Sequence, residues 1–423
     1  MLDIKFIREN KDLVAMGAKK KHIDFDVDAL ISIDDKRRQL LTSVEAKRAE
    51  QNEVSQKIVQ VSDPAEKAGM IEKMKSVKEE LQKEEEELKK VMHDWQVLMV
   101  AVPNIPDMSV PEGADDKDNK EVKTWGEIPK FDFEPKDHID LMQNLGMLDL
   151  ERGTKVAGFR GYFLKGDGAR LQFALWQFVQ DHFVKKGGFI PMIVPSLVKR
   201  EVFMGTGYLP QGEEDLYKTQ DGDFLSGTAE VATMGYYMDE VLDKKDFPIK
   251  LLSFSPAFRR EAGSHGKDTR GILRVHEFYK FEQVVLCEAS HATSVELHEE
   301  ITSNAEELMQ ALGLPYHVVV NCGGDLGLGQ VKKYDIEAWL PSENTYRETH
   351  SSSYFHDFQT RRLNIRYKDE DGKMKFAHSL NNTAMSGRPL IMIIENYQQA
   401  DGSIKIPEVL RPYMNNQEFI SKK

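Results

Sequence analysis

The chain is poor in cysteine, with two in 423 residues, Cys287 and Cys322. A disulfide-stapled scaffold is therefore excluded, and a reducing compartment fits. No run of about 18 apolar residues occurs, which excludes a membrane-spanning helix, and the opening MLDIKFIREN holds no apolar stretch of signal-peptide length. The expected location is the cytoplasm, with no membrane partner. Net positive charge is lacking too: 57 Lys and Arg face 70 Asp and Glu, a balance of -13. That balance disfavours wholesale coating of nucleic acid, so any RNA contact must be focused on local Lys and Arg. Absent also are GxxxxGK[ST] and GxGxxG, so a bound nucleotide is held by neither a P-loop nor a Rossmann turn.

Glycine and proline are almost missing between about residues 28 and 99, where the breaks are Ser62-Asp63-Pro64 and Gly69. Before the break Leu30, Ile33, Leu40, Val44, Val54, Ile58 and Val61 recur at 3- and 4-residue spacings, interrupted by Arg37, Lys47 and Gln51; after it come Met74, Val77, Leu81, Leu88, Val91, Trp95 and Leu98. Two such stripes joined by a short turn predict an antiparallel coiled-coil hairpin, because each buries its seam only against the other. Arms of roughly 33 residues would reach about 50 Å. The acidic run from Lys83 to Glu87 reads as a solvated helix face. On its own the hairpin fits an oligomerisation coiled coil.

Pro103, Pro106 and Pro111 among Asp, Lys and Asn resist regular structure, which gives an N-terminal domain over 1–100, a linker over 101–122 and a second domain over 123–423. Strand-like runs follow at 189–195, 251–258, 272–286, 316–320, 334–339 and 363–367, with a helix predicted over 171–184 and ended by Gly187-Gly188. Helices are few and grouped, so the fold class is α+β, an antiparallel sheet flanked by helices.

The stretch from Ser255 to Glu282 places two strand-like runs around a polar loop rich in Gly and Arg. Period-2 alternation puts Arg274, His276, Phe278, Lys280 and Glu282 on one face, and Val275, Tyr279, Phe281 and Val285 on the other. Arg259 and Arg274 offer planar, permanently charged donors to phosphate oxygens. A surface hairpin with incidental Arg–Glu pairs would carry the same residues. Glu348, Ser351 and Arg388 extend the pattern, and carboxylates beside a phosphate clamp suit Mg²⁺, which takes only one or two protein ligands. ATP becomes a credible ligand. Zinc is not expected, since His265, His276, His350 and His356 match no zinc spacing and lack partner cysteines.

These blocks resemble the class II aminoacyl-tRNA synthetase motifs in the form found in bacterial seryl-tRNA synthetases: Gly188 to Pro195 as motif 1, Phe258 to Gly263 as motif 2, Leu380 to Asn396 as motif 3, and Ser226 to Val231 as the serine-site loop. The resemblance spans nearly the whole chain and implies a class II catalytic domain behind a tRNA-binding hairpin, in a homodimer that ligates L-serine to tRNA(Ser), and to tRNA(Sec), through a seryl-adenylate. It implies that Thr228 and Glu230 hold the serine ammonium with Ala229 also in the serine site, and that Arg259 bridges the ATP α-phosphate and the serine carboxylate. Glu261 would contact adenine, Val275 line the nucleotide pocket and Phe278 stack on the base; Arg260, Arg274, Thr349 and His350 would complete the ATP site. Glu282 and Thr383, with Asn381 nearby, would recognise the serine side chain. Glu348 and Ser351 would meet ATP and its Mg²⁺, and Arg388 the γ-phosphate. Lys47, Arg48 and Lys57 of the hairpin would grip the RNA backbone.

Arg388 follows Thr383 after five residues, where the family usually has six, and Gly387 is expected to absorb the tighter turn. Two other functions fit parts of the pattern: amino-acid activation for a carrier protein, whose enzymes commonly lack the hairpin, and a silent RNA-binding relative, which would lose the arginines or carboxylates.

Overall fold

A computed structural model of the chain describes residues 1–263, 266 and 268–422, so His265 lies outside the described residues. The chain divides into two compact units, residues 1–19 with 23–103, and residues 20–22 with 104–423.

Helices α1 (Val27–Gln60) and α2 (Pro64–Ala101) dominate the first unit. The Asp26 carboxylate caps α1 by accepting from the Ala29 amide at 3.0 Å. Asp63 caps α2, and Pro64 stands in its first turn, where a missing N–H is harmless. Gly69 breaks nothing: it lies inside α2 with open space around it. Every apolar residue of the two stripes is buried or half-buried. The polar interruptions have partners across the hairpin. Arg37 lies 4.7 Å over the Trp95 ring, and Lys47 reaches Glu80 and Glu84 at 2.8 and 3.1 Å. Glu84 also accepts from Ser43, Glu85 pairs with Arg48 at 2.7 Å, and Glu87 with Lys36 at 2.7 Å. The acidic run is thus a solvated face, as expected, and also one side of an interhelical ionic ladder.

In the second unit an eight-stranded sheet comprises β1 (Lys120–Trp125), β2 (Phe189–Ile193), β3 (Ile249–Phe258), β4 (Glu277–Cys287), β5 (Tyr316–Val320), β6 (Lys332–Leu340), β7 (Thr345–His356) and β8 (His378–Met385). Its order is β1-β5-β6-β7-β8-β4-β3-β2, antiparallel throughout except for the β2–β3 pair at one edge. The segment expected to be a linker belongs to this unit from Asn104 onward: the buried Asn104 amide donates to the Gly329 and Phe355 carbonyls, and β1 completes the far edge.

Helices α3 (Asp167–Lys186), α4 (Arg200–Thr206), α5 (Ala229–Gly235), α6 (His291–Ala311), α7 (Phe358–Arg362) and α8 (Arg388–Asn396) pack on this framework. Along β4, Phe281 and Val285 enter the main core with residues of α3, α6 and α8, while Val284 and Leu286 enter a second core with Val231 and Met234 of α5. One face of β4 therefore packs on the helices, apolar at Phe281 and Val285 with the buried Gln283 between them bonded to the Ile301 carbonyl and Asn304 of α6. The other carries apolar packing at one end and Phe278, Lys280 and Glu282 at the other.

The structure departs from three further expectations. Residues 272–276 are not strand, so the alternation drawn for Val275, Arg274 and His276 does not hold. Helix α3 runs further at both ends than 171–184. Gly387 has φ -74° and ψ -19°, ordinary helical values, so no glycine-specific turn is needed ahead of Arg388.

Leu30 is fully buried in the first unit and Val59 is 82% exposed. Leu30→Ala should cost that unit about 2–5 kcal/mol, whereas Val59→Ala should stay within about 0.5 kcal/mol. Helical circular dichroism during denaturant unfolding reads the difference.

Candidate active site

A cleft of about 740 Å³ opens over the polar end of β4. Nine of the residues named from sequence line it together: Arg259, Glu261, Arg274, Val275, Phe278, Glu348, Thr349, Thr383 and Arg388. Val275 shares the cleft with Phe278 because it precedes the strand and escapes its alternation. Tyr162, Gln172, Lys280 and Ser386 also line the cleft. Sequence reading passed over them as site residues, and only Lys280, on the polar parity of β4, carried a signal.

Arg259 sits one residue beyond β3, where its amide donates to the His276 carbonyl at 3.0 Å. Its guanidinium lies 5.3 Å over the Phe278 ring, and its Nε donates to the Gly227 carbonyl at 3.3 Å. Arg274 meets Glu261 at 2.5 Å and Asp268 at 3.3 Å, and Arg347 reaches the other oxygen of Asp268 at 2.6 Å. Glu261 and Asp268 hold φ of 56° and 44°, a left-handed conformation that non-glycine residues adopt only when their surroundings fix it.

Arg388 opens α8 and donates to the Glu348 carbonyl at 2.6 Å and its carboxylate at 3.1 Å. The Glu348 side chain keeps 45% of its surface open, yet its carboxyl lies deep enough to lose water, which raises its pKa. Arg388, Lys333 and Arg259 outweigh that and hold it well below the usual carboxylate range. The β6–β7 register shifts between Ile336/His350 and Glu337/Glu348, leaving Thr349 as an extra residue. That bulge brings Glu348 to the face of Lys333, Asp335 and, opposite Asp335, Ser351. His350 falls on the other parity with Ser352, whose Oγ accepts from Thr302 of α6. It is 1% exposed, burial lowers its pKa to about 3, and it does not line the cleft.

Deeper in, Thr383 stands directly opposite Glu282 across the β4–β8 ladder, and Asn381 opposite Val284. Lys280 Nζ lies 2.7 Å from Glu282 Oε2, and the two form a buried ion pair. Burial raises the Glu282 pKa, and Lys280 and Arg259 oppose the rise. Thr228 caps α5 through its side chain, with Ala229 buried beside it. Glu230 is 2% exposed and accepts from Tyr208 Oη at 2.9 Å and Gln359 Nε2 at 2.7 Å. Burial pushes its carboxyl up to about 7; the Glu282 charge adds to the rise, while Gln359 and Tyr208 hold it down.

Arg260 points elsewhere, donating to the Glu214 carbonyl at 3.1 Å outside the cleft. Both cysteines are buried and free. No helix among the described residues is long and apolar enough to cross a membrane, and no group of three His, Cys, Asp or Glu among them is placed to hold a metal ion.

Residues 1–106 match the seryl-tRNA synthetase N-terminal domain, and residues 217–397 the tRNA synthetase class II core domain (G, H, P, S and T). The serine–tRNA ligase of Deinococcus radiodurans is 45% identical over 100% of this chain and 99% of its own length, and that of Treponema denticola 44% over 98% of each. The chain belongs to the seryl-tRNA synthetase family. Its fold agrees along the full length: the crystal structure of seryl-tRNA synthetase from Pyrococcus horikoshii complexed with ATP superposes with a TM-score of 0.91 at 37% identity, covering 100% of both chains. The cytoplasmic serine–tRNA ligase of Naegleria fowleri in complex with AMP gives 0.87 at 34% identity, covering 100% of this chain and 99% of its own.

Glu230 links the site to stability. Its folded value near 7 exceeds the ordinary 4.5, so its contribution to stability is complete below about 4.5 and is lost as pH rises through 7. Glu230→Gln cannot ionise. Between pH 5 and 8.5 the melting temperature of the ligand-free wild type should therefore fall relative to that of the variant, by an amount matching about 3 kcal/mol.

Proposed function

We propose that the protein ligates L-serine to tRNA(Ser), and to tRNA(Sec), through a seryl-adenylate made from ATP, and that it works as a cytoplasmic homodimer. The observation that carries the reading is the convergence of Arg259, Glu348, Arg388 and Thr383 on one cleft, with Glu282 and Glu230 at its inner end.

In the first step a serine carboxylate oxygen bonds to the α-phosphorus, the bond from that phosphorus to the bridging oxygen breaks, and pyrophosphate leaves. No protein nucleophile is needed, only alignment and charge neutralisation. Arg259 bridges the serine carboxylate and the α-phosphate, and Arg388 takes the γ-phosphate. Glu261, Val275 and Phe278 receive the adenine, while Arg274, Thr349 and the strand around His350 complete the wall. Arg260 serves by anchoring the motif 2 turn through Glu214. In the second step the terminal adenosine hydroxyl of tRNA attacks the serine carbonyl, and AMP departs.

Glu348 and Ser351 are the oxygen donors for Mg²⁺. The fit rests on their shared face and on an ionised Glu348 carboxyl, a hard-oxygen set that leaves the cation most of its water. When bound, Mg²⁺ offsets phosphate charge.

Thr228 and Glu230 hold the serine ammonium, with Ala229 beside them in the serine site. Glu282 and Thr383, with Asn381 beside them, receive the hydroxyl. Glu282, buried and ion-paired with Lys280, keeps acceptor capacity for that hydroxyl, and alanine would leave the capacity unused, a difference worth roughly 10⁴- to 10⁵-fold in rejection.

The hairpin carries the RNA. Lys47, Arg48 and Lys57 are engaged with Glu80 and Glu84, Glu85, and Glu53. Exposed pairs of this kind are worth about 0–1 kcal/mol, so phosphates can exchange for the carboxylates. Duplex RNA is held by shape and backbone, which suits such a rod. A second copy is supported by the apolar surface of β2 and α3, where Ile193 is 88%, Phe173 71% and Ile190 56% exposed.

Arg259→Ala should lower serine-dependent ATP–pyrophosphate exchange by roughly 10²- to 10³-fold or more; near-normal exchange would remove Arg259 from the reacting phosphate. Deleting residues 28–99 should leave exchange largely intact while charging of tRNA(Ser) collapses. Normal charging by the truncated enzyme would assign the hairpin to another task.

A further inference from the structure

Glu230 is a buried carboxylate whose two oxygens each take a neutral donor, Tyr208 Oη on Oε2 and Gln359 Nε2 on Oε1. Neutral donors orient a carboxylate without cancelling its charge, and a buried charge without a counter-ion is costly. The Gln359 amide has only one workable orientation. Its Oε1 accepts from Ser379 Oγ at 2.7 Å, and its Nε2 also reaches the Thr206 carbonyl at 3.2 Å, so a flipped amide would set oxygen against oxygen at both Glu230 and Thr206. Gln359 and Ser379 are buried, whereas the Tyr208 ring is 38% exposed with its hydroxyl turned inward. Three separate elements meet at this carboxylate: the chain just past α4, the short helix α7, and strand β8 behind it.

We propose that Tyr208 and Gln359 are positioning residues for amino-acid binding: they aim the Glu230 carboxylate and leave it short of one positive charge, which the substrate's ammonium group supplies. This rests on the reading that Glu230 takes that ammonium. Loss of either donor lets the carboxylate turn and favours its protonated form, so the substrate's amine loses both its direction and part of its attraction.

The test is pyrophosphate exchange with the full-length Tyr208→Phe, Gln359→Leu and Glu230→Gln enzymes, serine and ATP being varied separately across pH 6–9. Tyr208→Phe and Gln359→Leu should each raise KM for serine roughly 10- to 100-fold, the worth of a hydrogen bond to a charged group, with KM for ATP within about twofold of wild type. In Tyr208→Phe the acid limb of kcat/KM for serine should also move to higher pH, because a donor favouring the ionised carboxylate is gone. A lower kcat with both KM values and the pH limb unchanged would mark a merely structural role and overturn the proposal. Tyr208→Phe keeps a half-exposed ring in place, so the test stands even if Gln359→Leu fails to fold. Glu230→Gln separates the two layers. If it leaves KM for serine unchanged, the ammonium assignment falls; if it raises that KM at least 100-fold while the other two variants stay within about twofold, the positioning proposal alone falls.

Discussion

A charge taken out of water needs an opposite charge or a full set of donors, and the cleft is organised around that requirement. Glu348 faces Arg388, Glu282 faces Lys280, Glu261 faces Arg274, and Asp268 is shared by Arg274 and Arg347. These pairings hold the guanidinium groups in place before any phosphate arrives. A site whose donors are already aligned spends little reorganisation when negative charge develops on a substrate, the condition under which electrostatic stabilisation is largest. Glu230 departs from the pattern, having neutral donors and, among the described residues, only the more distant Lys280 as a cation, and that asymmetry separates the end of the cleft suited to an amine from the end suited to phosphates.

The scaffold makes this arrangement possible by dividing labour along single strands. On β4 the helix-facing parity sets Phe281 and Val285 against α3 and α6 with Gln283 hydrogen-bonded to α6 between them, while the opposite parity passes from Lys280 and Glu282 to Val284 and Leu286 within a few residues. The charged groups of the cleft thus ride on rigid, hydrogen-bonded backbone. The hairpin follows a different economy. It buries few residues completely and fills the gaps with Arg37 on Trp95 and Lys47 between two glutamates, so ionic and cation–π contacts do part of what a larger core would do.

Much of this was legible in the sequence wherever periodicity was unobstructed. The helical stripes, the break at Asp63-Pro64 and strands β2 and β5 follow from spacing and from proline and glycine chemistry. Strands β7 and β8 did not stand out: Thr345–His356 and His378–Met385 carry Ser, Thr, Asn, Glu and His on both parities, because one face meets the cleft and the other meets polar groups of α6. The residues 272–276 failed the other way, alternating like a strand while the backbone bends to enter the cleft. For the site, the motif arginines and carboxylates were readable by resemblance. Tyr208 and Gln359 were not, since a residue that acts by holding another leaves no local pattern; only coordinates bring α7 beside α5.

Thr349 is the one surplus residue between β6 and β7 in the stretch that carries Glu348. Side chains on a strand alternate with strict parity, so a regular ladder with Thr349 paired to Glu337 would put Glu348 and everything toward Tyr346 on the opposite side of the sheet. A carboxylate would then press on the helices, and Arg388 would lose its partner. The place of the bulge is accordingly as constrained as amino-acid identity: moving the unpaired position past Glu348 would cost that carboxylate its side of the sheet.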